Sequence, residues 1–127
     1  MFTKKEFKNL LKDRVLILDG AMGTEIQKHS LIEKDFRGSQ FKDWLSELKG
    51  NNDLLTLTQP QLIKEIHKNF VDAGSDIIET NTFNSNSTSQ SDYGLEAIVY
   101  DLNYQGSVLA KEIALSLIHI SEPTRPY

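Results

Sequence analysis

The sequence predicts an α/β fold in which short parallel strands alternate with helices. Residues 15–18 are a continuous apolar run, which is typical of a strand covered on both faces of a parallel sheet. Residues 54–80 resemble a strand, an amphipathic helix and a second strand, the unit that joins parallel strands by a right-handed crossover. An amphipathic helix follows from Leu95, so about three parallel strands alternate with helices.

The first element is a helix predicted over residues 3–13. Thr3 and Glu6 have capping-box spacing, and a short apolar stripe follows them. After the first strand, residues 29–53 are mostly polar, with apolar residues scattered among them. They predict a long excursion with one helical turn around residues 41–48.

The second strand is predicted at residues 54–58 and the third at residues 76–80. Between them, Thr58 and Gln61 have capping-box spacing, and apolar residues then recur at helical intervals. Gly74 is placed to end this helix as the glycine after the C-cap. The unit therefore predicts one helix flanked by two strands.

A polar run at residues 81–91 follows the third strand. Its composition is typical of a flexible linker. We favour instead a loop at the carboxyl end of a strand, because a new amphipathic helix begins at Leu95.

The chain divides into a partial domain, residues 1–114, and a tail, residues 115–127. The tail resembles the in-frame translation of a transposase sequencing adapter, so we expect it to be non-native. The alternative is a genuine strand at residues 117–120, followed by a turn.

Composition excludes several classes of protein. The 127 residues allow one domain, and the net charge of −4 without a basic cluster argues against a nucleic-acid partner. The chain has no cysteine, which excludes disulfides and thiolate metal sites within it. The sequence shows neither a signal peptide nor an apolar run long enough to cross a membrane, so we expect a cytoplasmic protein.

Polar side chains stand at the predicted strand ends. Asp19, Gln59 and Glu79 each follow an apolar run, and the carboxyl ends of parallel strands meet at one edge of a sheet. Two carboxylates there would suit an ammonium group, a metal ion or acid–base chemistry. The alternative is that one of them caps a helix.

Residues 20–24 place two glycines and a hydroxyl directly after the first strand. Glycine lets the backbone approach a ligand, so the segment could receive a carboxylate or a phosphate, or it could be only a tight turn. The histidines do not form a ligand set, and we expect His67 to be solvated on the polar side of its helix.

Several segments resemble the homocysteine S-methyltransferase family. Residues 18–24 are similar to its opening signature. Residues 49–55, 58–60, 73–84 and 90–94 resemble the methionine synthase branch. The resemblance covers nearly all of residues 8–114, in order and at the family's spacing.

The resemblance implies the N-terminal portion of a (β/α)8 TIM barrel, incomplete in this chain, that binds homocysteine. In the family, three cysteines late in the barrel hold a zinc ion, and methylcobalamin on a separate module supplies the methyl group, which a folate module restores. Those cysteines and modules are absent here, so the chain is expected to bind neither cofactor, to be inactive alone, and to bind homocysteine weakly or not at all.

The resemblance also implies site residues. Asp19 would bind the homocysteine ammonium group, and the backbone N–H groups after Gly20, at Ala21 and beyond, would lie with Thr24 near its carboxylate. Glu79 and Asn81 would line the same mouth.

The expected function is therefore part of a methionine synthase, which transfers a methyl group from methylcobalamin to homocysteine. The alternatives are a betaine- or S-methylmethionine-dependent homocysteine S-methyltransferase and an unrelated phosphate-binding barrel enzyme. A third alternative is a binding module without catalytic activity.

Overall fold

The computed structural model describes residues 3–121, with side chains as far as residue 115. Helices dominate this part of the chain. The α-helices, in chain order, are α1 Lys4–Asp13, α2 Met22–Gln27, α3 Glu33–Arg37, α4 Leu55–Thr58, α5 Pro60–Asp72, α6 Ser87–Ser91 and α7 Val99–Ser121. Two 3-10 turns lie at Asn52–Leu54 and Glu96–Ile98.

The predicted α/β fold, a barrel portion with about three parallel strands, is wrong for the described residues. Residues 3–121 form no sheet, and their β pairing is limited to a single parallel bridge between Leu18 and Ile77. The two segments that meet at this bridge, around Leu18 and Ile77, are extended, and no third segment of residues 3–121 pairs with them. Val15 is 82% exposed and Ile17 is 56% exposed, so the expected covering of both faces is also absent from the described structure.

The predicted second strand is helical. Asn52–Leu54 forms a 3-10 turn that runs directly into α4, and the Gln59 N–H donates to the Leu55 carbonyl at 2.7 Å. A short apolar run has no period that separates a buried strand from a buried helical turn. Here the local hydrogen bonds favour the helical turn, and Leu54 and Leu55 are fully buried in it.

The predicted helices at the start and middle of the chain are confirmed. The Thr3 hydroxyl accepts the Glu6 N–H at 3.1 Å and caps α1, as its spacing predicts. Helix α5 begins at Pro60 with Gln59 as its N-cap, so the predicted cap at Thr58 is wrong. Gly74 follows the C-cap of α5 with a φ of +117°, a backbone region that favours glycine.

The long excursion contains a helix in a different place from the one predicted. Helix α3 precedes residues 41–48, which form turns instead of a helix. The Glu33 carboxylate accepts the N–H groups of Leu48 and Lys49 at 2.8–2.9 Å, and Arg37 donates to the Trp44 carbonyl at 2.6 Å. These side-chain bonds fold the excursion back on α3.

The core lies between α5, α7 and the segment that precedes α5. Lys64 of α5 pairs with Glu112 of α7 at 2.8 Å. Each fully buried leucine or isoleucine contributes about 1.5–3 kcal/mol by leaving water. The buried cluster consists of Ile26, Phe36, Leu48, Leu54, Leu55, Ile63, Ile66, Leu95 and Leu109.

Helix α7 continues to Ser121, beyond residue 114, where the predicted partial domain ends. A strand at residues 117–120 is therefore wrong, while residues 122–127 of the predicted tail lie outside the described residues. Among the helices described, none is both long enough and apolar enough to cross a membrane.

Candidate functional site

The two extended segments meet where the predicted site residues lie. The Asp19 N–H donates to the Ile77 carbonyl at 2.9 Å, and the Ile77 N–H donates to the Ile17 carbonyl at 3.2 Å. One residue pair further along, the Glu79 N–H donates to Oδ2 of Asp19 at 3.1 Å. The structure thus brings Asp19 and Glu79 together. Gln59 does not join them, because its side-chain amide donates to the Asp35 carbonyl at 3.1 Å and it is not part of the cleft described below.

An ion pair fixes the other end of these segments. Both Nη atoms of Arg14 contact the Asp76 carboxylate, at 3.0 and 2.7 Å. Oδ2 of Asp76 also accepts the Ile17 N–H at 3.0 Å. Bidentate, charge-assisted bonds of this kind fix the relative position of the two segments more strictly than neutral bonds do.

A cleft of about 310 Å³ opens beside Asp19 and Glu79. Its walls come from three segments: residues 19–23 before and at the start of α2, residues 50–53 before α4, and residues 79–84 after Ile77. The residues that line it are Asp19, Gly20, Met22, Gly23, Gly50, Asn52, Asp53, Glu79, Thr80, Asn81, Thr82, Phe83 and Asn84. Four of the six predicted site residues therefore line one cleft, and Ala21 and Thr24 do not.

The Asp19 carboxylate is half-buried at the edge of the cleft. Burial raises the pKa of Asp19 above its ordinary value, although the N–H groups of Glu79 and of Asp19 itself act to lower it. A partly desolvated carboxylate gains more from a cationic ligand than an exposed one does. This position therefore suits an ammonium group.

Close packing explains the first glycine of the segment after Asp19. A Cβ atom at Gly20 would lie 3.1 Å from Cε1 of Phe70 on α5, so glycine lets the backbone approach that helix. Helix α2 then begins at Met22, which leaves Ala21 as its N-cap without a side-chain bond. Ala21 and Thr24 are exposed.

Asn81 is held by the protein and is only 6% exposed. Its Nδ2 donates to the Asn52 carbonyl at 3.0 Å and to the Thr56 hydroxyl at 3.2 Å. Both amide protons are thus occupied, which leaves Oδ1 as the atom that a ligand could reach. In contrast, the Glu79 side chain is exposed at the mouth of the cleft.

The cleft residues that precede α4 are not among the predicted site residues. Gly50, Asn52 and Asp53 form one wall, and Asp53 is only 3% exposed. The signal was present, because residues 49–55 are one of the segments that carry the family resemblance. The strand predicted at residues 54–58 instead points to Gln59 at its carboxyl end.

A second cavity, of about 450 Å³, is larger but has different chemistry. It shares Gly50 and Asn52 with the cleft. Its other lining residues are the apolar Ile26, Leu31, Ile32 and Phe36, together with Gln27, Ser30 and Lys49. None of the predicted site residues lines it, so we place the candidate site in the smaller cleft. Across the described residues, no cluster of histidine and acidic side chains is arranged to hold a metal ion.

Comparison with known families agrees with the resemblance. A family model described as homocysteine S-methyltransferase matches residues 16–121, which include the cleft and most of the core. The match spans most of the 127 residues. The chain therefore belongs to the homocysteine S-methyltransferase family, whose members transfer a methyl group to homocysteine.

Proposed function

We propose that this chain carries the part of a homocysteine S-methyltransferase site that holds the amino-acid end of homocysteine. The single observation that supports this best is the pairing of Asp19 with the Glu79 backbone at the edge of a cleft. Asp19 and Glu79 both line this cleft, where two carboxylates would attract an ammonium group, and a cleft of about 310 Å³ is large enough for a small amino acid.

Asp19 is the residue we assign to the ammonium group. Its Oδ2 already accepts one N–H, so an ammonium group would take its remaining lone pairs. Glu79 adds negative charge at the mouth. Asn81 offers an acceptor, and the backbone after Gly20 is assigned to the substrate carboxylate by the family resemblance alone.

Zinc does not fit the residues described. The sequence contains no cysteine, and the described residues hold no metal-ligating cluster. In the proposed parent enzyme, zinc would bind the homocysteine sulfur as a thiolate. We assign no step to zinc in this chain and propose that the chain alone is inactive.

Methylcobalamin is the methyl donor that we propose for the parent. The support is the resemblance of residues 49–55 to the methionine synthase branch, and folate and cobalamin modules would belong to the same parent. A betaine- or S-methylmethionine-dependent enzyme of the family is the second candidate. The family match favours both over an unrelated phosphate-binding enzyme.

The experiment is an NMR titration of the isotope-labelled chain with L-homocysteine. We expect a dissociation constant of about 1 mM, because the amino-acid end alone gives only a few ionic contacts. L-homoserine should bind similarly, since nothing in this chain holds the sulfur. A thiol that lacks the amino and carboxylate groups should not bind.

Two variants make the assignment specific. Asp19→Asn should weaken binding about tenfold or more by removing the charge that faces the ammonium group. Glu25→Gln is the matched control: it makes the same charge change on α2 and lines neither cavity. Equal losses in both variants, or micromolar binding that depends on zinc, would contradict the proposal.

A further inference from the structure

The polar loop that forms one wall of the cleft is not held by apolar burial. Phe83 is the single large apolar residue within residues 81–91, and it is 93% exposed. Yet Ser85 is 7% exposed and Gln90 is fully buried. Polar contacts must therefore keep this loop in place, since a polar chain without partners would remain in water.

Most of these contacts come from residues 51–56. Asn51 and Gln90 exchange side-chain amide bonds at 2.8 and 3.2 Å. Asn81 donates to the Asn52 carbonyl and to the Thr56 hydroxyl. We call residues 51–56 the clamp. Packing holds the clamp in position, because Leu54 and Leu55 inside it belong to the core.

Asp53 supplies the one charged group in this clamp. Its Oδ2 accepts the Asn84 N–H at 2.8 Å and the Ser85 hydroxyl at 2.5 Å. Burial raises the pKa of Asp53, and the bonds from Ser85 and Asn84 act to lower it. No lysine or arginine of residues 3–115 forms an ion pair with Asp53. The hydrogen bonds from the loop therefore replace the water that the buried carboxylate has lost.

Helix α7 also bonds to the loop. Nδ2 of Asn103 donates to the Ser85 carbonyl at 2.8 Å. Ser85 is thus bonded through its hydroxyl to the segment before α4 and through its carbonyl to α7. The loop is thus bonded to two parts of the core, and its residues 82–84 line the same cleft as Asp19 and Glu79.

We propose that Asp53 is a positioning residue, whose buried carboxylate holds residues 80–85 in place as one wall of the amino-acid cleft. The inference rests on the proposed function, because the cleft gives the position its role. Asp53 acts through Asn84 and Ser85, which it orders before a ligand arrives. Ordering a loop in advance lowers the entropic cost of binding.

The test measures two properties of the 127-residue chain: homocysteine affinity by NMR titration and hydrogen exchange at the Asn84 amide. Asp53→Ala should weaken binding about tenfold and speed that exchange, because a charge-assisted bond is lost. Asp53→Asn should stay within about threefold of the wild type, since its amide oxygen can still accept both bonds. Ser85→Ala, which leaves the Asn84 bond, should fall between them.

Leu109→Ala is the control for a loss of stability alone. Leu109 lies in the core on α7 and lines neither cavity, so its removal should lower the melting temperature without changing affinity. Equal affinity losses in Leu109→Ala and Asp53→Ala would overturn the inference. So would an Asp53→Ala chain that keeps slow Asn84 exchange and wild-type affinity.

The outcomes separate this inference from the proposed function. If the wild-type chain does not bind homocysteine, the proposed function fails, and Asn84 exchange in the Asp53 variants still decides whether Asp53 holds the loop. If Asp53→Ala does not fold, Ser85→Ala decides in its place. Wild-type homocysteine affinity in Ser85→Ala, which has lost the bond from the Ser85 hydroxyl to Asp53, would then refute the positioning role.

Discussion

At the scale of single residues, His67 is the group whose surroundings differ most from expectation. We expected it to be solvated, and that prediction is wrong, because its side chain is 0% exposed. Neither ring nitrogen has a hydrogen-bond partner among the described residues. Burial lowers the pKa of His67 below its ordinary value, so the folded protein favours the neutral ring.

Replacement of this histidine should therefore stabilise the protein. His67→Leu removes two buried polar atoms at nearly constant volume, and we expect the free energy of unfolding to rise by about 1–3 kcal/mol. Urea denaturation at neutral pH measures the change. His29→Leu is the control, because His29 is exposed and its replacement should change stability by less than about 0.5 kcal/mol. A destabilised His67→Leu chain would show that the ring has an unseen role in packing.

The pH dependence of the free energy of unfolding provides a second test of this prediction. The unfolded chain takes up a proton at His67 near its ordinary pKa of 6.5, and the folded chain does so only at lower pH. Titration of His67 thus costs no stability above pH 6.5. As the pH falls from 6.5 toward the lowered pKa, the unfolded chain is protonated in preference to the folded one, and the stability of the wild type declines. The advantage of His67→Leu over the wild type should grow across this range. Parallel stability curves for the two proteins would contradict the assignment.

At the scale of secondary-structure elements, the helices whose sequence signals lie close together along the chain could be predicted. The Thr3 cap and the apolar stripe of α1 lie within a few residues of each other, and α5 has an apolar stripe with Pro60 in its first turn. Both helices could therefore be predicted from sequence alone. Residues 54–58 could not, because a short run of leucine and threonine suits either a strand or a helical turn. Asp53, directly before that run, bonds to Asn84 and Ser85, more than 30 residues away along the chain.

The candidate site divides in the same way. Asp19 and Glu79 could be predicted because each follows an extended apolar run, and the runs pair in parallel. Asp53 and Asn84 could not, since a polar loop carries no periodicity that shows which buried side chain it will contact. Only tertiary structure brings them together.

Gly106 provides a prediction at this scale, because it lies inside α7 where glycine is unfavourable. Alanine should favour the helix by about 0.5–1 kcal/mol. A Cβ atom there would however lie 2.6 Å from Cγ2 of Thr82, in the loop that lines the cleft. We expect Gly106→Ala to destabilise the protein by about 1–3 kcal/mol through overpacking and to weaken homocysteine binding.

The matched control is Ser107→Ala on the exposed side of the same helix. It should be close to neutral or slightly stabilising, because alanine is the better helix former. Thermal denaturation and NMR titration of both variants test the prediction. A Gly106→Ala chain as stable as Ser107→Ala would show that the loop can move away without cost.

At the scale of the whole molecule, the paired extended segments leave apolar side chains in water. Val15 is 82% exposed, and Ile17 and Leu18 are 56% and 55% exposed. Leu11 on α1 is 48% exposed. An extended segment with an open edge and exposed apolar side chains is a template for pairing with another chain. In contrast, α5 and α7 pack against each other and bury apolar side chains in the core of the described residues.

We therefore expect this chain to self-associate as its concentration rises, through the segment that contains Val15 and Ile17. Val15→Lys should suppress the association without loss of stability, since the side chain makes little use of burial and a charged edge resists pairing. Sedimentation velocity over a range of concentrations measures it. Leu45→Lys is the control, because Leu45 is 101% exposed and lies in the turns after α3. A chain that stays monomeric at every concentration would contradict the prediction, as would equal suppression by both variants, because association through residues 15–18 requires the Val15 variant alone to act.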